Sequence, residues 1–352
     1  MAFSQGARIV GIGEILLDRF DTGQVALGGA PFNVIFHLHQ LLRSISRGEA
    51  VFVSAVGSDN AGSQILREVA DAGMDTRHLQ VLDGRVTGAA NVFVTGGHAG
   101  FEIVPDVAWD YLASSADLDA LARNANAVVF GTLAQRNAVS RETIQGFISH
   151  VQGHRLCDVN LRRNTTDGVA GYTPEIIDQS LALATMVKMN GEELDEIAAI
   201  LELRSESDDP DVRRLHWMRQ LRDRYSLQLI AVTRASRGSI LINAHQCLQL
   251  GDSTIHEELV HPVGAGDAFV AGLLAGVLEH WRPENCLELA NILSSWVALH
   301  TSATPRLSAS VLTEISSLVR RATTRNTGNS ASRAIGMPEY ALPPAGAVEM
   351  GR

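Results

Sequence analysis

The sequence predicts an α/β protein with a mostly parallel central sheet and helices on both of its faces. Short apolar runs alternate along the chain with longer amphipathic stretches, which is the pattern of strand–helix–strand units. The chain has 352 residues, of which 45% are hydrophobic and 19% are charged. This composition is sufficient for a large buried core, and it excludes a disordered or collagen-like chain.

The elements follow from these runs in chain order. Residues 8–13 form the first predicted strand, residues 31–43 a helix with proline at its start, and residues 51–56 the second strand. Residues 63–72 form the next helix, which Gly73 ends. Five later apolar runs are predicted strands, most of them separated by helical stretches: 127–131, 155–160, 186–190, 229–233 and 239–243. Because helices separate most of these strands, we expect neighbouring strands to be mainly parallel.

Three segments depart from the alternation. Apolar runs at residues 86–94 and 101–104 flank a glycine-rich turn, which predicts a β-hairpin. Residues 203–214 are strongly acidic and are predicted to form a solvent-exposed loop. Residues 323–352 are rich in small, polar and proline residues, so we expect a flexible tail outside the core. The sequence therefore predicts one domain over residues 1–322, followed by this tail.

The charge and the cysteines indicate the class of environment. The 39 acidic and 29 basic residues give a net charge of −10, which disfavours binding to nucleic acids or anionic membranes. The three cysteines are far apart and form no CxxC pair, a usage typical of a reducing compartment. No signal peptide and no apolar run of about 18 residues is found. We therefore expect a cytoplasmic protein without nucleic-acid or membrane partners.

The strongest local motif is Gly264-Ala265-Gly266-Asp267, directly before an apolar helix rich in small residues. Two glycines leave backbone N–H groups uncovered at the helix start, where the partial positive charge favours an anion. An aspartate in this cradle could take a proton from a hydroxyl that attacks a bound phosphate. On the spacing alone, an aspartate that only caps the helix after a glycine turn is an equal alternative.

Polar side chains also cluster at three other predicted element ends. Residues 28–33 (GGAPFN) begin the first helix, where glycines let a ligand approach the backbone and the asparagine offers a donor and an acceptor. Residues 158–162 (DVNLR) and 188–193 (KMNGEE) follow strands, at the edge where open α/β sheets bind ligands. His37 and His39 on the first helix are interpreted as packing or surface residues rather than metal ligands.

A dinucleotide site is a weaker interpretation of the first strand. Gly11 and Gly13 match the start of the GxGxxG fingerprint, but Leu16 stands where a small residue is needed for helix–strand packing. No GxxxxGK[ST] sequence occurs either, which excludes a P-loop of that type. A nicotinamide-dependent dehydrogenase is therefore the least favoured of the enzyme classes considered.

Together the motifs resemble the ribokinase-like carbohydrate kinases, also called the PfkB family. GGAPFN, DVNLR, KMNGEE and GAGD occur here in the order found in that family, and the resemblance covers about residues 8–315. Three runs resemble bacterial fructokinases in particular: residues 13–18 (GEILLD), 106–110 (DVAWD) and 131–136 (GTLAQR). The resemblance implies a three-layer ribokinase-like fold. It also implies a small β lid, built from about residues 18–30 and 86–107.

The resemblance also implies roles for individual residues. The general base would be Asp267, the anion hole would be formed by Gly264, Ala265 and Gly266, and the transferred phosphate would be faced by Arg162. Contacts to the sugar hydroxyls would come from Asp18, Gly28, Gly29, Asn33 and Gln135. The ATP site would be lined by Asn190, Thr233, Gly238 and Asn291, and Mg²⁺ would be held through water by Glu193.

The resulting expectation is ATP-dependent phosphorylation of a sugar hydroxyl, with ATP and Mg²⁺ as cofactors and the 6-hydroxyl of fructose as the favoured acceptor. Ribose, 2-keto-3-deoxygluconate or a nucleoside is an alternative acceptor. A non-catalytic sugar-binding protein of the same fold is an alternative from another class. Because lids in this family often pair between subunits, the resemblance also implies a homodimer through the lid.

Two positions depart from the family pattern. Thr233-Arg234-Ala235 stands where the family often has Thr-x-Gly, so we expect this turn to differ. His261-Pro262 stands where Asp-Thr commonly precedes the anion hole. That aspartate helps to bind a monovalent cation in many members, so we expect no strong activation by potassium here.

Overall fold

The described part of the chain builds two separate β-sheets. The structure, a computed structural model, describes residues 6–45, 48–95, 98–163, 165–168, 170–245, 247–250 and 263–326. In chain order the strands are β1 (Arg8–Ile12), β2 (Leu16–Phe20), β3 (Val25–Gly28), β4 (Glu49–Gly57), β5 (Leu79–Leu82), β6 (Ala89–Thr95), β7 (His98–Ile103), β8 (Ala127–Gly131), β9 (His154–Asp158), β10 (Met186–Asn190), β11 (Leu229–Thr233), β12 (Ser239–Asn243) and β13 (Cys247–Leu250).

The larger sheet has nine strands in the order β13-β12-β11-β10-β9-β8-β1-β4-β5. Every neighbouring pair from β11 to β5 is parallel, whereas β12 and β13 are added antiparallel at one edge. Central strands are covered on both faces, and all five residues of β8 are buried. The predicted mostly parallel central sheet is therefore confirmed.

Helices cover this sheet on both faces. They are α1 (Ala30–Ile45), α2 (Asn60–Asp71), α3 (Ala116–Arg123), α4 (Ala138–His150), α5 (Pro174–Leu183), α6 (Gly191–Ile200), α7 (Pro210–Tyr225), α8 (Ala265–Leu278), α9 (Pro283–Ala298) and α10 (Ala309–Asn326). One core holds α1, α2, α8, α9 and α10, and the other holds α3 to α7. The strand β1 contributes side chains to both cores, with Ile9 in the first and Val10 in the second. Within the described segments, none of the helices is both long and apolar enough to cross a bilayer.

The smaller sheet has the strand order β3-β2-β6-β7. Its β2 pairs in parallel with β6, with Asp18 opposite Ala90, and β6 and β7 form the predicted hairpin. Among the elements of this sheet, β2 and β3 were implied only by the family resemblance, as part of the β lid. The apolar pattern missed them, because charged residues interrupt the run of β2 and β3 has only four residues. A small separate sheet is thus confirmed, and it carries Asp18.

Two predicted boundaries are corrected by the helices. The acidic loop predicted over residues 203–214 ends earlier, because α7 begins at Pro210 and the Asp209 carboxylate caps its first turn. The tail predicted from residue 323 begins too early, because α10 continues to Asn326. The remaining part of that segment and His261-Pro262 lie outside the described residues.

Candidate active site

A cavity of about 550 Å³ lies at the carboxyl ends of the central strands, between the larger and the smaller sheet. This is the edge of an open α/β sheet at which ligands bind. Most of the predicted site residues line it: Asp18, Gly29, Asn33, Arg162, Asn190, Glu193, Thr233, Gly238, Gly264, Ala265, Gly266, Asp267 and Asn291. The structure thus brings together residues from both ends of the chain, whereas Gly28 and Gln135 do not line the cavity.

The start of α8 forms a cradle of backbone groups, which we call the anion cradle (Gly264 to Asp267). Gly264 precedes the helix with a left-handed φ of 82°, and no side chain caps the first turn. By contrast, α2, α3, α5 and α7 all begin with a side-chain cap. A Cβ on Gly266 would come within 2.9 Å of Lys188 Nζ. Uncapped N–H groups beside a lysine are therefore available to a phosphate.

The Asp267 carboxylate is buried in this cradle and is held by two amides. Asn33 Nδ2 donates to Asp267 Oδ2 at 2.8 Å, and Asn160 Nδ2 donates to Oδ1 at 3.4 Å. Burial raises the pKa of Asp267, although the hydrogen bond from Asn33 and the charge of Lys188 oppose the shift. An oriented carboxylate with a raised pKa is suited to accept a proton from a hydroxyl.

Arg162 reaches the cavity from the loop after β9. Its guanidinium donates to the carbonyl of Asn160 at 3.2 Å and also to the Oδ1 of that residue. It lies 4.5 Å from the ring centre of Phe101 in the smaller sheet. Asn160 adopts a left-handed φ of 41°, which asparagine tolerates better than most residues. The loop thus presents one positive charge to the cavity and carries the second amide that holds Asp267.

Lys188 also lines the cavity, and the sequence analysis quoted it within a motif without giving it a role. Its Nζ lies 3.1 Å from Asp158 Oδ1, and both side chains are almost completely buried. Burial lowers the pKa of Lys188, but the nearby carboxylates, of which Asp158 has the largest effect, raise the pKa more than burial lowers it. The net shift of the pKa is therefore upward. Lys188 therefore stays charged beside the anion cradle.

The end of the cavity below the smaller sheet carries two buried carboxyl groups. Burial raises the pKa of Asp18 to about 7 and that of Glu14 also to about 7. Glu14 Oε2 is buried and has no hydrogen-bond partner among the described residues. Sequence reasoning gave Glu14 no role. Its run was tested as a dinucleotide fingerprint and quoted for its resemblance to fructokinases, although a polar residue directly after a central strand was a usable signal.

Two glycines at the end of β3 make room for these carboxyls. A Cβ on Gly28 would come within 2.2 Å of Asp18 Oδ2, so Gly28 acts by leaving space and not by lining the cavity. Gly29 has a left-handed φ of 113°, and a Cβ there would collide with the carbonyl oxygen of Glu14 at 2.4 Å. Both positions therefore require glycine for a physical reason.

The opposite end of the cavity holds the residues predicted to bind ATP. Ala235, in the turn that departs from the family pattern, adopts a left-handed φ of 51°, the region that a glycine would occupy without strain. Asn190, Thr233, Gly238 and Asn291 all line this end. The cavity is thus long enough to combine a polar, carboxyl-rich end with a second compartment beyond the anion cradle.

Glu193 is tied to the backbone by both carboxylate oxygens. They accept hydrogen bonds from the N–H of Leu161 at 2.9 Å and of Asn190 at 2.7 Å, while Asn190 caps α6 in return. Among the described residues, no three His, Cys, Asp or Glu side chains are grouped as a metal site. A single fixed carboxylate fits a Mg²⁺ ion that is held mainly by phosphate oxygens and water.

The structure does not place Gln135 at the cavity, where the resemblance implied a contact to the sugar. Its side chain is completely buried, with Nε2 donating to the Gly131 carbonyl and to Ser180 Oγ, both at 2.8 Å. The neighbouring Arg136 pairs with Asp110 at 2.7 Å, away from the cavity. Of the runs that resemble fructokinases, residues 106–110 therefore do not line the cavity, and residues 131–136 reach it only through Leu133.

Comparisons with known proteins agree with this geometry. A family model described as pfkB family carbohydrate kinase matches residues 12–309. A sugar kinase of Pyrococcus horikoshii is 27% identical over 315 residues, which cover 85% of this chain and 93% of that protein. An aminoimidazole riboside kinase of Salmonella typhimurium is 28% identical over 252 residues, covering 70% and 72%. A fructokinase of Klebsiella pneumoniae is 26% identical over 287 residues, covering 79% and 87%.

The crystal structure of the Pyrococcus protein is also similar in fold. It superposes with a TM-score of 0.71 at 23% sequence identity and covers 90% of this chain and 99% of that one. At this identity the likeness concerns the fold.

Proposed function

Because this chain belongs to the pfkB family of ATP-dependent carbohydrate kinases and has their ribokinase-like fold, we propose that it phosphorylates fructose at the 6-hydroxyl. The products would be ADP and fructose 6-phosphate. The family fixes the class of reaction, and the choice of sugar rests on the chemistry of the cavity and on the fructokinase-like runs.

The position of Asp267 is the observation that carries the proposal. This carboxylate lies where the carboxyl-rich end of the cavity meets the anion cradle. In the proposed reaction it accepts the proton of the sugar hydroxyl, whose oxygen bonds to the γ-phosphorus as the bond to the ADP oxygen breaks. The cradle N–H groups, Arg162 and Lys188 would stabilise the negative charge on the phosphoryl group. Mg²⁺ would be held through water by Glu193 and would neutralise part of the phosphate charge.

A neutral sugar fits the other end of the cavity. Asp18 and Glu14 can accept hydrogen bonds from hydroxyl groups, and Asn33 offers a further polar contact. When ionised, these two carboxyls repel a carboxylated or phosphorylated sugar. The positive charge of Arg162 offsets only part of their negative charge. Fructose is therefore favoured over 2-keto-3-deoxygluconate. The similarity to the Klebsiella fructokinase supports the same choice.

A screen of ADP release over fructose, ribose, glucose, 2-keto-3-deoxygluconate and adenosine tests the acceptor. We expect the highest kcat/KM with fructose. A clear preference for ribose or adenosine would contradict the proposed sugar and would instead follow the similarity to the riboside kinase. Tight sugar binding without ADP release would support the non-catalytic alternative.

An Asp267→Asn variant tests the base. An amide cannot accept the proton, and a general base contributes about 10²–10⁴-fold, so we expect kcat to fall by that factor with sugar affinity nearly unchanged. Asp223→Asn is a matched control, because this exposed carboxylate bonds only to its neighbour Arg222 among the described residues. Retention of more than about a tenth of wild-type kcat would remove Asp267 from this role.

We also propose that the smaller sheet is a lid and that two copies pair through it. Asp18 and Phe101 on one face line the cavity, while Val25 and Phe93 on the opposite face are 49% and 41% exposed. A second copy would cover these apolar side chains. Sedimentation equilibrium of the wild type and of Phe93→Asp should show a dimer and a monomer, and a monomeric wild type would contradict the pairing.

A further inference from the structure

One face of α1 carries three polar side chains, Asn33, His37 and Gln40, which we call the α1 polar face. Their spacing of four and three residues places them in line along the helix. Each of them bonds to a segment near the other end of the chain. Their partners are the Asp267 carboxylate, the carbonyl of Ala303, and the backbone of Pro305 and Leu307. The first helix therefore fixes both the base and the loop that precedes α10.

His37 has no role in the site described so far, although it is completely buried. Its Nε2 lies 2.9 Å from the Ala303 carbonyl oxygen, and a carbonyl can only accept, so Nε2 carries the hydrogen. Burial lowers the pKa of His37 to about 4, so the ring is neutral at physiological pH. Nδ1 is buried without a partner among the described residues. The imidazole thus acts as one fixed N–H donor to one carbonyl.

Ala303 forms the wall behind the first residue of the anion cradle. A Cβ on Gly264 would lie 2.6 Å from Ala303 Cβ, 2.7 Å from its Cα and 2.9 Å from its carbonyl oxygen. Ala303 also packs in a small apolar cluster with Val263, which directly precedes the cradle. Because no atoms can intervene at these distances, the position of Ala303 determines where Gly264 and the N-terminus of α8 lie.

We propose that His37 is a positioning residue for the anion cradle. By holding the Ala303 carbonyl, it keeps Ala303 against Gly264 and so aligns the N–H groups that receive the transferred phosphate. The proposal deepens the proposed kinase function and rests on it. It predicts an effect on phosphoryl transfer and on the nucleotide, not on the sugar, because His37 lies one turn beyond Asn33 and does not line the cavity.

Two substitutions of His37 separate this role from simple packing. His37→Leu keeps an apolar side chain of similar size but removes the donor, whereas His37→Gln places an amide N–H near the position of Nε2. For His37→Leu we expect kcat to fall about 10- to 100-fold, since a small misplacement of catalytic groups has effects of that size. We expect the KM for ATP to rise and the Kd of the sugar to stay within about twofold. His37→Gln should recover most of kcat.

Gln40→Leu is the matched control on the same helix face. It removes two bonds to the same loop, but at Pro305 and Leu307 and not at the residue that contacts Gly264. We expect its kcat to remain within about twofold of wild type. Equal losses of kcat in Gln40→Leu and His37→Leu would overturn the proposal, because a general loosening of the loop would then explain both.

The remaining outcomes also decide the question. Wild-type kcat in His37→Leu, or a loss that His37→Gln does not relieve, would overturn the positioning role. Melting temperatures of all variants identify any loss that is only unfolding. If the wild type phosphorylates none of the sugars screened, the proposed function fails, and titration with a non-hydrolysable ATP analogue still tests the inference. Its affinity should fall at least about tenfold in His37→Leu and return in His37→Gln, and an unchanged affinity would overturn the proposal.

Discussion

Replacing Gly266 with alanine should slow phosphoryl transfer without weakening the fold. The added Cβ would lie 2.9 Å from Lys188 Nζ, whereas ordinary contact begins at about 3.4 Å, so Nζ must move by about 3.4 − 2.9 = 0.5 Å. Lys188 is also tied to Asp158 at 3.1 Å, so the shift disturbs a buried ion pair. The methyl group in addition covers part of the cradle surface that a phosphate would occupy.

The size of the effect follows from the loss of a preorganised donor. Removing one such donor at a developing negative charge costs about 10²–10³-fold in kcat, and a displaced lysine retains part of its effect. We therefore expect a decrease of about 10- to 100-fold. Stability should not fall with it, because alanine is favoured over glycine in a helix by up to about 1 kcal/mol. A slower but equally stable enzyme is the distinctive result.

Coupled ADP release gives kcat and the KM for ATP, and calorimetry gives the melting temperature. Gly146→Ala is a matched control, because Gly146 lies inside α4 and a Cβ there meets nothing within 4 Å. This variant should gain stability and keep wild-type kcat. If Gly266→Ala retained more than about half of wild-type kcat with an unchanged KM for ATP, the assignment of the anion cradle would be refuted.

The remaining predictions concern the sugar end, the C-terminal segment and monovalent cations. Asp18→Ala should raise the KM for sugar about 10- to 100-fold and leave the KM for ATP unchanged, since a hydrogen bond to a buried charge contributes about 1.5–3 kcal/mol. A change in the KM for ATP instead would mean that the two ends of the site are assigned the wrong way round. Burial raises the pKa of Asp18 to about 7, and the ionised form accepts from hydroxyls, so the KM for sugar should fall as pH rises from about 6 to 8. Asp18→Asn should reduce this slope, and an unchanged profile would assign the titration to another group. A chain that ends at Asn326 should remain folded by circular dichroism and active in ADP release, because residues 327–352 show no hydrophobic periodicity. Loss of either property would show that this segment packs against the folded domain. Potassium should change kcat less than about threefold relative to sodium at constant ionic strength, since His261-Pro262 lacks the carboxylate that helps to bind a monovalent cation in many family members. Saturable activation by potassium alone would contradict this prediction.

Buried strands of the larger sheet were the elements that the sequence predicted best. The bounds predicted for β8, β10, β11 and β12 coincide with those observed, because a strand covered on both faces is a continuous apolar run. By contrast, β2 carries Asp18 and Arg19 within five residues and has one face toward the cavity, so its pattern is interrupted. The smaller sheet is thus visible in the sequence mainly through the hairpin of β6 and β7.

The candidate site could be predicted where polar residues follow a strand or begin a helix. That rule identified Asn33, Arg162 and Asp267, which the structure brings to one cavity. The rule did not concern Gln135, which only the resemblance implied and whose polar side chain is satisfied inside the core. It could not identify the role of His37, because the carbonyl that this residue holds lies 266 positions away and only the folded chain brings the two together.

The central position of β1 has a consequence for how the protein is made. This strand is synthesised before both of its neighbours in the sheet, β4 and β8, so one of its edges stays open until residue 131 has been synthesised. The Asn33–Asp267 bond spans 234 positions, which corresponds to roughly 10–50 s of translation at about 5–20 residues per second. Until β8 has been synthesised, the nascent chain exposes an unpaired apolar strand edge, the kind of surface that promotes aggregation. Slower translation before β8 would lengthen that exposure, so the yield of native protein should depend on the choice of codons between β1 and β8.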